Sequence, residues 1–319
     1  MAYTGTGDVS SDTAAFQQLA YFAFRSQPMY EMIADVRSTA QTHNGASVQF
    51  NIYDNMAQAT SALTEASDVT AVALGDSTVV VTLAEYGNAV ITTAKLRGTS
   101  FLNVDADAAN IIGYNMVDSV DKLVSNVANA GTNVIYAQGS AGSRPASRVA
   151  VSDANTFGAQ EGRQAVAELR TASAPGFENG NYIGLVHPDV SYDLREQTAV
   201  TDVIQYQIRQ EGAAVRNGSI GVFGGIEWIE NPRAPILDDA GATSTTNVYQ
   251  TLVAGRQALA KAFSRAPGFG EDPSVVFGPV TDTLRRFHPV GWYHLVGHAI
   301  FRQAALQRIE SSSSIGDNT

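Results

Sequence analysis

Alternating apolar and polar residues predict a β-ribbon in the first third of the chain. In the run Ser47–Tyr53, the side chains of Val48, Phe50 and Ile52 alternate with polar ones, so they lie on one face of a strand. β-branched runs between residues 79 and 92 are candidates for the returning strand. An isolated two-stranded ribbon is marginally stable in water. We therefore consider two placements for its apolar face: on a sheet of its own subunit, or on a neighbouring copy of the chain.

Apolar residues spaced three and four apart predict a long helix after the ribbon. It begins at Asn103 or Asp105 and ends near Gly131, a residue type that is common just beyond helix C-termini. At a rise of 1.5 Å per residue, such a helix is about 40 Å long. Because only one of its faces is apolar, we expect the helix to lie across a sheet or a partner as a strut.

A second helical pattern lies near the N-terminus. Ser11 or Asp12 is a suitable cap, and Phe16 and Leu19 begin an apolar stripe that Pro28 interrupts. One interpretation is a surface helix packed on its own subunit. The other, which we prefer because the segment precedes any evident core, is an arm that docks on a neighbouring subunit.

From residue 150 onward the pattern indicates a compact α/β module followed by terminal strands. In order, the predicted elements are a helix around residues 165–169, a buried strand at Tyr182–Val186, a helix that starts at Pro188 and extends past residue 208, a β-hairpin over residues 217–229, and strands over residues 290–310. Residues 252–263 fit either a strand or a helix. Trp228 and Trp292 are expected to pack in the core, and residues 311–319 to form a disordered tail.

Composition limits the functional classes. The chain has 319 residues, enough for about two domains, and a net charge of −11. Only three of its 20 basic residues are lysines, and no basic cluster larger than Arg285-Arg286 is present to neutralise phosphates, so we do not expect specific nucleic-acid binding. An acidic surface is nevertheless compatible with enclosing DNA. Cysteine is absent, which excludes disulfides and thiolate chemistry. We read neither a signal peptide nor an apolar stretch of about 20 residues that would span a membrane.

The sequence offers little catalytic chemistry. His294 and His298 are four residues apart, as in some zinc sites on helices, but no glutamate of a zinc-protease motif lies between them. On a strand they would be about 13 Å apart, too far to share an ion. Residues 217–221 and 139–143 lack the hydrolase-elbow and phosphate-loop patterns that they partly resemble. We therefore predict no catalytic residues, no metal, no cofactor and a structural role.

The order of elements resembles the major capsid proteins of tailed bacteriophages, which share the Hong Kong 97-type fold with encapsulin shells. The order is arm helix, long ribbon, long helix, α/β module, hairpin and terminal strands. Short motifs strengthen the resemblance along the chain: Leu63-Thr64-Glu65, residues 83–90, residues 183–194 with His187-Pro188-Asp189, residues 218–229, and Val290-Gly291-Trp292.

The resemblance implies an α+β fold of the Hong Kong 97 type, with an N-terminal arm, an extended β-hairpin loop, a long spine helix, and peripheral and axial domains. The implied segments are the arm (1–42), the extended β-hairpin loop (43–98), the peripheral domain with the spine helix (99–150), the axial domain (about 151–255), and a return to the peripheral domain with the C-terminal tail (256–319).

The same resemblance implies a shell-building function. Many copies, arranged as hexamers and pentamers, would form the icosahedral shell around the double-stranded DNA of a tailed phage, and an encapsulin-like nanocompartment is the alternative. Scaffolding, portal and decoration proteins are candidate partners, the location is the virion after assembly in the bacterial cytoplasm, and no membrane is involved. The residues expected to contact neighbouring subunits are Phe16, Leu19, Val48, Phe50 and Ile52. Some members of the fold crosslink a ribbon lysine to a neighbour, but residues 38–94 contain no lysine, so we expect no such crosslink.

Overall fold

A computed structural model describes most of the chain. The described residues are 26–36, 45–63, 65, 68–100, 104–177, 180–196, 219–243, 245–264, 270–278 and 282–315. Of the predicted arm (1–42), only residues 26–36 are described, so Phe16 and Leu19 lie outside the described part, as do the residues beyond 196 of the helix predicted to start at Pro188. Among the described residues, no helix is both long and apolar enough to cross a membrane.

The described part of the chain combines helices with strands of three sheets. Its α-helices are α1 (Ala94–Thr99), α2 (Val104–Ala128), α3 (Ala159–Thr171) and α4 (Pro188–Glu196). Its strands are β1 (Ala34–Val36), β2 (Ser47–Tyr53), β3 (Asp76–Thr82), β4 (Ala84–Thr93), β5 (Val134–Tyr136), β6 (Tyr182–Val186), β7 (Ser219–Phe223), β8 (Ile226–Glu230), β9 (Ile236–Leu237), β10 (Val248–Ala254), β11 (Leu259–Phe263), β12 (Ser274–Phe277), β13 (Phe287–Ile300) and β14 (Leu306–Ser311). A 3-10 helix, Tyr30–Ile33, directly precedes β1.

A five-stranded sheet is built around β13, the longest strand. β4 pairs with one edge of β13, while β11 and β12 share its other edge and β1 extends the sheet from β11. The helix α2 lies across one face, where Ile112 packs against Val290 and Trp292. The indole Nε1 of Trp292 also donates a hydrogen bond to Oδ1 of Asn115 at 2.9 Å. The predicted long helix is thus confirmed, and its apolar face rests on a sheet.

The ribbon forms a separate two-stranded sheet. β2 and β3 are antiparallel, with Ser47 opposite Thr82 and Tyr53 opposite Asp76. Of the β-branched runs that were candidates for the returning strand, only the first lies in β3. The second lies in β4, which pairs with β13 instead.

A seven-stranded sheet forms the most deeply buried part of the molecule. Its strand order is β5-β14-β10-β6-β8-β7, with β9 paired to β10, and every residue of β6, β10 and β14 is buried. Trp228 packs edge-on against Phe157, with ring centroids 5.5 Å apart. Gly184 is required beneath the indole, because a Cβ there would lie 2.5 Å from Cε3 of Trp228. The predictions of a buried β6 and of core positions for Trp228 and Trp292 are confirmed.

The C-terminal part of the chain differs from the expectations. Residues 252–263 form parts of two strands, β10 and β11, that lie in different sheets, and β14 joins the seven-stranded sheet rather than returning with β13 to the five-stranded one. The short strand β5 was not predicted. Residues 311–313 are buried, and the amide of Ser314 donates to the Asp193 carboxylate at 3.1 Å. The expectation of a disordered tail is therefore wrong for residues 311–315.

Candidate intersubunit surfaces

The apolar face of the ribbon packs on its own subunit near its base. Val48 is 2% exposed and lies in a cluster with Val81 and small residues of β11. The phenyl rings of Phe50 and Phe301 meet edge to face, with centroids 6.2 Å apart. Gly297 of β13 lets β3 of the ribbon lie close to β13, because a Cβ at residue 297 would overlap the Thr82 carbonyl oxygen.

This packing changes the interpretation of the predicted ribbon contacts. Val48 is enclosed by its own chain, so it has no surface left for a neighbouring subunit, and the expectation of an intersubunit contact there does not fit the structure. Phe50 and Ile52 are partly buried on the same cluster and keep some exposed surface. The apolar alternation had correctly identified a buried face but could not tell which subunit covers it.

Beyond β2 and β3 the ribbon continues into an exposed segment that we call the ribbon tip, residues 54–75. Its described residues form neither helix nor strand. Large apolar side chains are more than half exposed along it, namely Met56, Leu63, Val69, Val72 and Leu74. The tip contains the carboxylates of Asp54, Glu65 and Asp68 and no basic residue. Exposed apolar groups in such number on one segment are typical of an interaction surface.

The outer part of the five-stranded sheet has two further exposed apolar surfaces. One is β12, whose four residues are all exposed and which borders an open groove of about 660 Å³. The other, which we call the α1 groove, has a volume of about 290 Å³ and lies between β4, α1 and the first turns of α2. Its apolar lining includes Val90, Ile91, Leu96 and Ile111, each at least 42% exposed.

The segment that leads out of the N-terminal region is fixed to α2 by buried polar groups. Oδ1 of Asp121 accepts a hydrogen bond from the amide of Tyr30 at 2.7 Å. Burial raises the pKa of Asp121 above its usual range, and burial raises the pKa of the Tyr30 hydroxyl to about 12. The buried ammonium of Lys261 forms an ion pair with Glu31 in the same segment. These contacts hold the beginning of the described chain against both the long helix and the five-stranded sheet.

His294 and His298 lie on β13 beside this ion pair. His298 is opposite Lys261 in the sheet register. Burial, reinforced by the nearby Lys261 ammonium, lowers the pKa of each imidazole to about 4, so both are neutral at pH 7. Among the described residues, no group of three or more His, Asp or Glu side chains is arranged to hold a metal ion.

A buried ionic network connects α2 to the seven-stranded sheet. The fully buried carboxylate of Glu310 accepts two hydrogen bonds from Arg148, at 2.6 and 2.9 Å, and also contacts Arg308. Although burial opposes ionisation, the hydrogen bonds from Arg148 and the charges of Arg308 and Arg148 keep the pKa of Glu310 below its usual range. Arg308 in turn donates to the carbonyls of Asn129 and Gly131, where the C-terminal end of α2 favours a positive charge. Sequence patterns gave no sign of this network, because its members are up to 179 residues apart.

Comparisons with known proteins agree with this architecture. A family model described as phage capsid protein matches residues 6–310. No curated protein is similar enough in sequence to match.

Solved capsid structures share the fold at low sequence identity. The capsid of Ralstonia phage GP4 is 14% identical, with a TM-score of 0.76 and coverage of 100% of this chain and 99% of that chain. The cyanophage Pam1 capsid is also 14% identical, with a TM-score of 0.72 and 98% coverage of each chain. The capsid of Helicobacter pylori bacteriophage KHP30 is 12% identical, with a TM-score of 0.73 and coverage of 98% and 99%.

The family match spans almost the whole chain, and the likeness to these structures confirms the predicted α+β fold of the Hong Kong 97 type. None of the findings favours the encapsulin alternative. The chain belongs to the phage capsid protein family, and it is a major capsid protein that builds the shell of the virion.

Proposed function

We propose that many copies of this protein, arranged as hexamers and pentamers, form the icosahedral shell that encloses the double-stranded DNA of a tailed bacteriophage. The observation that carries the proposal is the ribbon tip. The apolar face of β2 and β3 packs on its own subunit, whereas the tip has five large apolar side chains that are more than half exposed. A soluble monomer rarely leaves so many apolar groups exposed together, and a second copy of the chain would cover them.

The geometry of the contact favours rings and closed surfaces. A contact between the tip of one subunit and a different patch on the next would be heterologous and would repeat around a ring. Phe50, Ile52 and the arm residues Phe16 and Leu19 are further candidates for contacts with neighbours. Because each subunit engages several neighbours at once, every single contact can be weak while the shell is stable.

The charge of the protein suits a container for DNA. With a net charge of −11, the inner wall would not bind the phosphate backbone strongly, so packaged DNA could be reorganised and released. We propose a shell without catalytic activity that assembles in the host cytoplasm, with scaffolding, portal and decoration proteins as its partners. The predicted segments would assign α2 and β11 to β13 to the peripheral domain and β6 to β10 to the axial domain.

Electron microscopy of the expressed protein tests the proposal. The purified chain, produced alone and together with the phage genes next to its own, is expected to yield closed particles of uniform diameter. Particles filled with DNA after infection would identify the viral role. A chain that stays monomeric under both production conditions would contradict the proposed function.

A further inference from the structure

We propose that acid releases residues 29–36 from the five-stranded sheet, and that His294 and His298 are the groups whose protonation drives this release. We call residues 29–36 the leading segment. It contains the 3-10 helix Tyr30–Ile33 and the strand β1. The inference concerns the folded subunit alone, so it does not depend on the proposed shell function.

The alternation of side chains along β13 places both histidines on the face of the sheet opposite the ribbon. Leu295 and Ala299 pack against the ribbon, so the even-numbered residues of this strand point to the other face. On that face Trp292 packs against α2. Nε2 of each imidazole is buried there without a hydrogen-bond partner among the described residues.

The leading segment covers the part of this face that contains His298. Ile33 packs in one apolar cluster with Leu259 of β11. Two residues further along β11, on the same face, Lys261 lies opposite His298. The buried ammonium of Lys261 forms an ion pair with Glu31 of the leading segment. The same ammonium therefore anchors the leading segment and borders an imidazole.

A proton on either imidazole would put a second positive charge beside this ammonium. The titratable groups that surround the two imidazoles and the leading segment are Lys261 from β11, Glu31 from the leading segment, Asp272 from the loop before β12, Tyr86 from β4 and Asp121 from α2. The Glu31 carboxylate, which favours the charged imidazoles, is already the partner of the ammonium. A charged imidazole would gain the missing hydrogen bonds from water once the leading segment moved away.

The direction of the pH effect follows from the difference between the buried and the open imidazoles. Burial, reinforced by Lys261, lowers the pKa of His294 and His298 to about 4, whereas an imidazole open to water has a pKa of about 6.5. The released state therefore binds more protons between these pH values, so the closed state is favoured at pH 7 and becomes less favoured as the pH falls below about 6.5. From pH 7 to pH 5, one imidazole alone would shift the equilibrium toward release by about twentyfold.

The leading segment is held by fewer contacts than the other elements around the histidines. Its strand β1 has three residues and pairs, among the described residues, only with β11. In contrast, β13 is paired along both edges, and α2 has 25 residues. Parts of a protein with few contacts open at a lower free-energy cost than its core elements. Release of the leading segment is therefore expected before the sheet itself opens.

Hydrogen exchange followed by mass spectrometry tests the release in the full chain. Peptides that cover residues 29–36 are compared with peptides that cover the fully buried β6 at pH 7 and pH 5, with labelling times adjusted to keep the intrinsic exchange rate equal. Exchange of the leading segment is expected to increase about tenfold or more at pH 5, and that of β6 to stay the same. No increase in the leading segment, or an equal increase in both regions, would overturn the proposal.

Substitution of the two histidines separates their role from a general effect of acid. In the double variant His294→Gln/His298→Gln, the leading segment is expected to exchange at nearly the same rate at both pH values. The control is His288→Gln on the same strand, which is expected to keep the full increase. A double variant that responds like the unmodified chain, or a control that loses the response, contradicts the assignment.

The single variants keep the test decisive if the double variant folds poorly. Loss of protection in β6 at pH 7 would reveal such a folding defect. Each single variant, His294→Gln or His298→Gln, retains one imidazole and is expected to show an increase between that of the unmodified chain and none. If both single variants keep the full increase, the two histidines do not control the leading segment.

Discussion

The two large sheets of this subunit differ in how completely they are covered. In the seven-stranded sheet, every residue of β6, β10 and β14 is buried by other parts of the same chain. In the five-stranded sheet, β12 is exposed at all four residues and β4 at most of its length. The central strands of one sheet are therefore fully covered by the described chain, and the other sheet has exposed strands that are available to neighbouring subunits.

The two sheets also differ in the kind of titratable group that they bury. In the seven-stranded sheet, the carboxylate of Glu310 is matched by Arg148 and Arg308. In the five-stranded sheet, Nε2 of both His294 and His298 is buried without a hydrogen-bond partner. Burial and the nearby Lys261 ammonium oppose protonation of both imidazoles, so the two sheets are expected to differ in their response to acid.

The largest expected effect is on the free energy of unfolding, when either tryptophan is replaced by alanine. Trp228→Ala removes a fully buried indole from the seven-stranded sheet and is expected to lower the free energy of unfolding by about 3–5 kcal/mol. Trp292→Ala is expected to cost less, because Trp292 borders the open groove next to β12, which lets water fill the space. Urea denaturation of unassembled subunits measures both. Equal costs for the two substitutions would contradict the contrast between the sheets.

Local patterns in the sequence predicted much of the fold. The apolar spacing of α2, the continuous apolar run of β6 and the hairpin turn at Gly224-Gly225 are signals contained within one element, and the structure has each of them. The sheet to which a strand belongs depends on distant residues. β13 and β14 are separated by five residues, and the sequence predicts a strand for each. They nevertheless lie in different sheets.

The candidate interaction surface was predictable only in part, for the same reason. The alternation at Val48, Phe50 and Ile52 indicated a ribbon with one buried face. That this face packs on its own subunit depends on Gly297, about 250 residues away, where any side chain would block the approach of β3. The tip, which has no regular pattern, gave no periodic signal, and its exposure became evident only from the structure.

As the pH is lowered, we expect the five-stranded sheet to lose stability before the seven-stranded one. The pKa of both His294 and His298 is lowered to about 4 by burial and by Lys261, against about 6.5 in an unfolded chain. Between these values the unfolded state binds more protons, so stability is retained above pH 6.5 and falls as the pH decreases toward 4. The charged groups that act on these two imidazoles are Lys261, Glu31 and, for His294, Asp272.

Substitution of the two histidines tests this assignment. Unfolding midpoints of the double variant His294→Gln/His298→Gln, measured from pH 7 to pH 4, are expected to depend less on pH than those of the unmodified subunit. His288→Gln on the same strand is the control for the loss of a histidine as such. Glu310, whose lowered pKa makes its contribution disappear only below about pH 4.5, is expected to dominate at still lower pH. An unchanged slope in the double variant would locate the acid sensitivity elsewhere in the chain.

The smallest expected effect on the subunit itself is that of Leu74→Ser in the ribbon tip. Leu74 is 69% exposed, so its replacement is expected to change the free energy of unfolding by less than about 0.5 kcal/mol. In a shell the same side chain would be buried once per subunit, and losing that burial costs about 1.5–3 kcal/mol per contact. Since 1.4 kcal/mol corresponds to a factor of ten in an equilibrium constant, the concentration required for assembly should rise about tenfold or more.

Light scattering during assembly, combined with urea denaturation of free subunits, separates these two effects of Leu74→Ser. The matched control is Val149→Ser, because Val149 is 70% exposed but lies in the 3-10 turn Arg148–Ala150, outside the tip and the α1 groove. If Leu74→Ser destabilises the free subunit as much as it impairs assembly, then the tip is part of the subunit core and the contrast between covered and uncovered regions fails. If it impairs assembly alone, the exposed apolar residues of the tip stabilise contacts between subunits and contribute little to the fold of each one.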